Sequence, residues 1–557
     1  MKKLFILTFL CCLSQLSNGQ STLSLGVPGY QDYYRMQQLL GNLDSTVSFL
    51  IRPLTLKTEQ GSIFRPDGSY LNAGVNPLPF NSGPKLTLLP VITRSRYTSK
   101  HPFDWNDGSM IPASGQQQLI SAGLAVDWGP LSLQLYPEFL HAENREFEGL
   151  PATESDRFWF RIYNFQRHRI DQPERFGSGA FNAFIPGQSH LTVNLGPIGF
   201  GVSTENLWWG PGQRNSLIMS NTARGFLHGT LHSNKPIRTP IGHIEFQLIG
   251  GRLDDSGFLP PQAFRSAGGR LLYVPRNDDW RYISAIVTTY QPKWTPGLSL
   301  GLSRAVQQYS ERARRENNYL GAISSVFRRN DDEDLELERD QIAAFYIRYF
   351  STRTNAEFYF EFARNDAAWN LRDLFLEPQH AAAYLIGFQK YFPFRARDNQ
   401  FISMNLEWTT LQQSANRIVR EAFPFYVHSQ VRQGYTNRGE FLGAGIGSGS
   451  NSQTVSVDWV SGLKRAGLRI ERHVHNNDLY LRLVEDIQDP RRHWVDLSAS
   501  LLFNLDRGPF VFNGQISVIK SFNYQYQITN QVRTPSFFVP GKDVINYLTQ
   551  LNVLYRF

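Results

Sequence analysis

The sequence predicts an all-β, membrane-spanning barrel of antiparallel strands, preceded by one short helix. Three observations predict it. From about residue 86 to the C-terminus, apolar and polar residues alternate with a period of two, the strand rhythm that puts each set on its own face. Only 41% of the 557 residues are hydrophobic, yet 13% are aromatic, which suits a barrel with a wet lumen and aromatic girdles. No stretch beyond the leader runs to 18 consecutive apolar residues, so helices do not carry the chain across a membrane. In hydrocarbon every backbone N–H and C=O needs an internal partner, so a spanning sheet must close on itself. Roughly 440 residues at about 24–28 per strand-and-loop unit give on the order of 16 to 20 strands.

Residues 1–19 read as a cleavable signal peptide. Lys2 and Lys3 form the basic start, Leu4 to Leu13 the apolar stretch, and Ser17 and Gly19 the small residues before a new terminus near Gln20. Both cysteines, Cys11 and Cys12, lie inside it, so the mature chain holds no disulfide, thiolate metal site or Cys nucleophile. The formal charge is +8, of which Lys2 and Lys3 leave with the leader. There is no basic tract of the kind that binds nucleic acid. Residues 20–60 read as an N-terminal helical segment. Tyr33, Met36, Leu40 and Leu43 recur at helical spacing, and Gly41-Asn42 ends the pattern. This stripe is packing surface, and its partner is the barrel rim or another short helix.

Residues 61–557 read as the barrel with long loops. Leu131, Leu133 and Leu135 alternate with Ser132 and Gln134. Leu298, Leu300 and Leu302 alternate with Ser299, Gly301 and Ser303. Phe358, Phe360 and Phe362 oppose Glu357, Tyr359 and Glu361. Ile402, Met404, Leu406 and Trp408 oppose Ser403, Asn405 and Glu407. Leu497, Ala499 and Leu501 oppose Asp496, Ser498 and Ser500. Alternation alone also fits a soluble sandwich. The aromatic-ended apolar runs, the recurrent turns (Gly129-Pro130, Gly196-Pro197, Pro296-Gly297, Asp506-Arg507-Gly508) and a last strand ending in an outward Phe557 favour the barrel. Such a lumen is wide enough that something must fill or guard it. Glu357, Glu361, Glu407, Arg469 and Glu471 fall on polar faces, either lining an aqueous path or pairing across a closed barrel.

The most distinctive stretch is residues 204–229. Trp208 and Trp209 run into Gly210-Pro211-Gly212, a sequence that forces a turn. Glu205, Asn206, Gln213 and Arg214 stand around it with hydrogen-bonding side chains. Such rings can stack on sugars while their neighbours take the hydroxyls. They can equally anchor in an aromatic belt or pack around the turn. With Tyr435 and Arg438 from the Gly-rich insert at 434–450, these residues are the candidate polysaccharide contacts. Longer inserts also occupy 140–185, 306–340 and 365–386, the last with a short helix expected.

Other chemistry is weaker. The acidic run Asp331 to Glu338 offers oxygens of the kind Ca²⁺ takes, and equally reads as a solvated loop. His473 and His475 share a strand face as zinc ligands can, but no third ligand is evident. Gly445-Ile446-Gly447-Ser448-Gly449 lacks the Lys-Ser/Thr of a phosphate loop. Gly447-Ser448-Gly449 also lacks the strand-to-helix setting of a hydrolase elbow. No catalytic residue, metal or cofactor is assigned.

The segments Gln188-Ser189, Thr204-Glu205-Asn206-Leu207-Trp208-Trp209-Gly210-Pro211-Gly212 and Ser220-Asn221 resemble the capsule assembly protein Wzi family. Softer matches are Asp171 to Gly177, Glu361 to Leu371 and Gly434 to Gly439. The resemblance implies an outer-membrane barrel of about eighteen strands with a helical element at its periplasmic end. It implies a lectin-like protein, not an enzyme, that helps attach capsular polysaccharide to the cell surface. The family's sugar contacts are not defined by motif, so none is carried over. Expected partners are capsular or surface polysaccharide, outer-membrane lipid and lipopolysaccharide, with no nucleic acid, and the barrel is expected to be a monomer. The competing reading is a diffusion porin or glycan-uptake channel.

Overall fold

The computed structural model describes residues 21–56, 63–65, 84–327, 339–365, 371–394, 399–413, 423–487, 491–527 and 542–557. The expected signal peptide and the acidic run Asp331 to Glu338 lie outside the described residues. Eighteen antiparallel strands close into one barrel. They are β1 (Lys85–Thr98), β2 (Gly115–Trp128), β3 (Leu131–Leu135 with Glu138–Ala142), β4 (Phe181–Ile185 with His190–Leu195), β5 (Ile198–Ser203) and β6 (His228–Ser233 with Ile237–Thr239). There follow β7 (Gly242–Leu253), β8 (Arg281–Pro292), β9 (Leu298–Tyr309), β10 (Asp340–Ser351), β11 (Ala356–Asn365) and β12 (Ala382–Pro393). The rest are β13 (Phe401–Thr410), β14 (Asn451–Ser461), β15 (Lys464–Val474), β16 (Val495–Arg507), β17 (Phe510–Phe522) and β18 (Val544–Tyr555). The seam pairs β18 with β1 from Leu548↔Thr98 to Tyr555↔Val91.

Proline explains where the wall is irregular. β3, β4 and β6 each break at a segment holding Pro137, Pro186 or Pro236, and the β1–β2 register shifts between Leu89 and Ile92, across Pro90. Proline has no N–H to give the ladder, so it is confined to such interruptions. The two faces fall as the alternation requires. Phe358, Trp408, Leu501, Ile516 and Tyr547 are exposed on the outer face, while Glu357, Tyr359, Glu361, Ser403, Glu407 and Asp496 are buried within. The two ends of the barrel differ. One carries tight turns such as 129–130, 196–197, 462–463 and 508–509; the other carries every long insert.

The lumen departs from a wet channel. Inward-facing Ile283, Ala285, Val287, Tyr346, Ala363 and Leu385 pack with Trp209, Leu217, Ile218, Tyr426 and Phe441 from inserted loops in one apolar cluster. A barrel this wide leaves space its own side chains cannot fill. Chain folded into that space buries apolar surface as a globular core does. Short helices sit among the loops, including Leu371–Leu376 within the insert where one was expected.

The N-terminal segment enters from the tight-turn end. Helix α1 (Tyr30–Leu39) ends before Gly41, whose φ is 83°. Two short strands accompany it, which the helical reading did not include: Ser21–Leu23 pairs with Leu54–Leu56. Leu23, Tyr30, Tyr34 and Leu54 pack on Leu89, Ile92, Val511 and Leu554 of the wall. Tyr30 Oη donates to the Phe64 carbonyl at 2.7 Å, and Arg65 Nη2 donates to the Phe557 carbonyl at 2.9 Å. Arg556 Nη1 in turn donates to the Phe64 carbonyl at 3.1 Å.

One buried ionic cluster fixes the helix to the wall. Glu357 of β11 takes Arg35 Nε of α1 at 2.6 Å and Arg348 Nε of β10 at 2.7 Å, and Arg348 also donates to Gln38 Oε1 at 2.7 Å. Removing the shared carboxylate strands two buried guanidinium groups. Glu357→Ala is expected to destabilise the barrel by roughly 3–5 kcal/mol. The measurement is the urea midpoint of the detergent-solubilised protein, with protease sensitivity of residues 21–56 as the local readout.

Candidate functional site

The 204–227 insert dives into the lumen instead of standing outside it. Trp208–Trp209 pairs antiparallel with Ile51–Arg52 of the N-terminal segment. Arg52 lies over the Trp208 ring at 4.5 Å and donates to the Gly210 and Gly212 carbonyls at 2.8 and 2.9 Å. The turn that follows is held by two carboxylates of the wall. Glu361 of β11 accepts the Gly212 and Leu217 N–H groups at 3.0 and 2.9 Å. Glu407 of β13 accepts those of Gln213, Arg214 and Asn215 at 2.8, 3.0 and 2.8 Å. Glycine is required here for space. A Cβ on Gly210, whose φ is 129°, would lie 2.3 Å from Glu361 Oε1, and one on Gly212 would lie 2.0 Å from the Asn215 carbonyl. Arg214 extends the tie across the lumen, bonding Glu471 at 2.8 Å and Asp104 at 2.7 Å, with Trp105 under its guanidinium at 3.9 Å.

Most of the sequence-predicted contacts therefore lie inside. Trp209 is fully buried and donates from Nε1 to Gln247 at 2.9 Å, while Trp208, Glu205, Asn206 and Tyr435 are nearly as buried. Glu205 faces His190 at 3.0 Å. Asn206 and Gln188 form a reciprocal pair, Asn206 N–H to Gln188 Oε1 at 3.0 Å and Gln188 Nε2 to Asn206 Oδ1 at 2.9 Å. Gln213 donates to Gln389 at 2.8 Å, and Tyr435 stacks on Tyr426 at 5.7 Å. Arg438 alone of the set is exposed, paired with Asp254 at 2.6 Å. The geometry gathers seven of these eight residues into the packing of the lumen and leaves Arg438 on the loop surface.

A second feature lies at the long-loop end. A cavity of about 270 Å³ is walled by Asp104, Trp105, Glu174, Glu440, Trp494 and Tyr524, among others. Trp494 is half-buried and stacks on His475 at 3.7 Å, and Tyr524 stacks on His101 at 4.6 Å. Burial pushes the Glu440 carboxyl far above the usual carboxylate range. Asp104, beside Arg214, is held well below that range although it is buried. The wall thus offers aromatic rings and carboxyl groups in contrasting surroundings. The sequence reading missed it because His101, Glu174, Glu440 and Trp494 come from four different inserts.

The comparisons with known proteins agree with this architecture. The model of the capsule assembly protein Wzi family matches residues 94–523, more than half of the chain. The chain belongs to that family. Among solved structures it is similar to Wzi of Escherichia coli, an outer membrane protein involved in group 1 capsule assembly and described as a carbohydrate-binding β-barrel. The TM-score is 0.57 at 12% identity, over 96% of this chain and 100% of that one. OprD of Pseudomonas aeruginosa (TM-score 0.37, 10% identity, 84% and 92% covered) and OccAB4 of Acinetobacter baumannii (0.36, 11%, 84% and 97%) are more remote. No curated protein matches the chain. The Wzi match takes in the lumen insert and most of the cavity wall. The N-terminal segment that pairs with Trp208–Trp209 precedes the matched residues.

A cap of loop structure sits over the same end of this Wzi-family barrel. Helix α2 (Asp156–Ile162) starts at Ser155, whose Oγ accepts the Phe158 N–H at 3.2 Å, and runs into a wider turn at Tyr163–Arg167. With α3 (Asn477–Ile487) it contributes to a cluster of Phe158, Trp159, Ile162, Tyr163, Tyr273 and Leu483. His168 stacks on Tyr163 at 5.3 Å. Burial, then the Arg432 charge, lower its pKa from 6.5 to about 4.

The unfolded chain therefore binds a proton here more readily than the folded cap. His168 contributes its stability above pH 6.5, and that contribution is lost as pH falls from 6.5 through about 4. Protease cleavage within 150–170 is expected to speed up over that window and to lose this pH dependence in His168→Gln. The lumen insert gives a further test. Glu361→Ala with Glu407→Ala leaves five backbone N–H groups without their acceptors. It is expected to turn a silent barrel into one that passes steady current in planar bilayers.

Proposed function

We propose that this chain is a non-catalytic, lectin-like barrel of the outer membrane that helps hold capsular polysaccharide at the cell surface. The observation that carries the reading is the cavity at the long-loop end. Its rings suit the C–H faces of a pyranose, and its carboxyl groups suit the hydroxyls. Its volume of about 270 Å³ lies just below the usual range for small-ligand sites, about 300–1,000 Å³. That scale fits one or two sugar units of a longer polymer. Family membership supports the capsule role, and the carbohydrate binding described for the Escherichia coli protein supports the ligand class.

The membrane placement follows from the outer face, where apolar side chains meet lipid. By the convention for such barrels, the tight turns and the N-terminal segment face the periplasm, and the long loops face outward among lipopolysaccharide. The protein works as a monomer after the leader is removed. Trp208 and Trp209 serve the polymer indirectly, by keeping the lumen packed beneath the loops. Arg438 remains a direct contact at the loop surface. The porin reading is disfavoured by the chain folded into the lumen.

Two measurements test this. Purified barrel is expected to bind the cell's own capsular polysaccharide, and Trp494→Ala to weaken that affinity by about tenfold, the loss of roughly 1.4 kcal/mol of stacking. Deleting the gene is expected to release polysaccharide into the medium with synthesis intact. A capsule that stays attached, or a purified barrel that does not bind it, sinks the reading.

A further inference from the structure

Strand pairing brings together three donors that are far apart in sequence. In the β15–β16 register His473 stands opposite Asp496. His475 follows just beyond β15, its ring 4.0 Å from that of His473. One ligand atom from each of the three lies within 4.8 Å of the other two. His473 and His475 also line the cavity at the long-loop end.

We propose that His473, His475 and Asp496 form a binding site for a divalent transition-metal ion of the zinc type. The surroundings are those of such a site. The His473 Nε2–H donates to the Ile446 carbonyl at 3.1 Å, which leaves Nδ1 as the lone-pair atom of the neutral ring. A backbone carbonyl holding the far nitrogen of an imidazole is the usual outer support of a metal-bound histidine. Asp496 is supported in the same way. Trp494 Nε1–H donates to its Oδ1 at 3.1 Å, which leaves Oδ2, now 2.8 Å from His475 Nε2, for the ion.

Two imidazole nitrogens and one carboxylate oxygen select zinc over calcium or magnesium, which prefer all-oxygen shells. Tetrahedral ligands at about 2.0–2.1 Å stand roughly 3.3 Å apart, so on binding the widest separation closes from within 4.8 Å while the His475–Asp496 pair opens from 2.8 Å. His475 lies past the end of its strand and is half-buried, so it is the member placed to move. The proton it shares with Asp496 leaves to solvent as the ion enters. Three protein ligands leave the fourth position to water or a ligand oxygen from the cavity.

The test uses the full mature barrel in detergent, stripped with chelator and titrated with zinc chloride by calorimetry. The expected result is one ion per chain. His473→Gln, His475→Gln and Asp496→Asn should each weaken binding by at least about tenfold, and calcium chloride should give no heat. No zinc binding by the unaltered barrel, or undiminished binding in the three variants, overturns the proposal. Where a variant fails to fold, zinc-soaked crystals of the unaltered barrel decide. Anomalous density among the three side chains supports the site; density only elsewhere, or none, overturns it.

Discussion

Two carboxylates decide what this barrel is. Closing eighteen strands satisfies the wall's own hydrogen bonds but leaves a wide interior. Any chain that enters it must give up water on its backbone N–H groups, at a cost of about 1–3 kcal/mol for each one left unpaired. Glu361 and Glu407 take five of them from residues 212–217. Around this clasp the rest follows. Gly210 and Gly212 are small because the clasp is close, and Trp208–Trp209 can pair with Ile51–Arg52 of the N-terminal segment.

The wall was legible in the sequence and its filling was not. Alternation of Phe358, Phe360 and Phe362 with Glu357, Tyr359 and Glu361 separates the two faces of a strand, and the aromatic-ended runs, the recurrent turns and the last strand say which of them faces lipid. The helix at 30–39 was legible for the same kind of reason, through Tyr33, Met36 and Leu40. The placement of Trp208 and Trp209 was not. A loop rich in aromatic and polar groups looks the same whether it stands in solvent or turns inward, since both settings need hydrogen-bond partners for the polar part. What distinguishes them here is a pair of acids, Glu361 and Glu407, about 150–190 residues further along the chain. The sequence placed both on polar faces, without saying what they hold.

His473 and Asp496 make the complementary case. Their meeting depends on register alone. Once Lys464–Val474 and Val495–Arg507 are known to be neighbours, the hairpin brings position 473 opposite 496. Spacing along the chain, which serves well for metal sites built on one helix or one loop, is blind to ligands delivered by adjacent strands. The cavity wall is harder still, because its residues come from loops whose course no local pattern specifies.

The anchoring of the N-terminal segment sets an order of events. Its Phe64 and Arg65 are tied to Arg556 and Phe557, which directly follow β18, the strand that closes the barrel on β1. The N-terminal segment therefore has no final resting place until β18 has been synthesised and laid against β1. A part made before any strand of the wall is among the latest to settle. Until then its tyrosines and leucines need shelter from their surroundings.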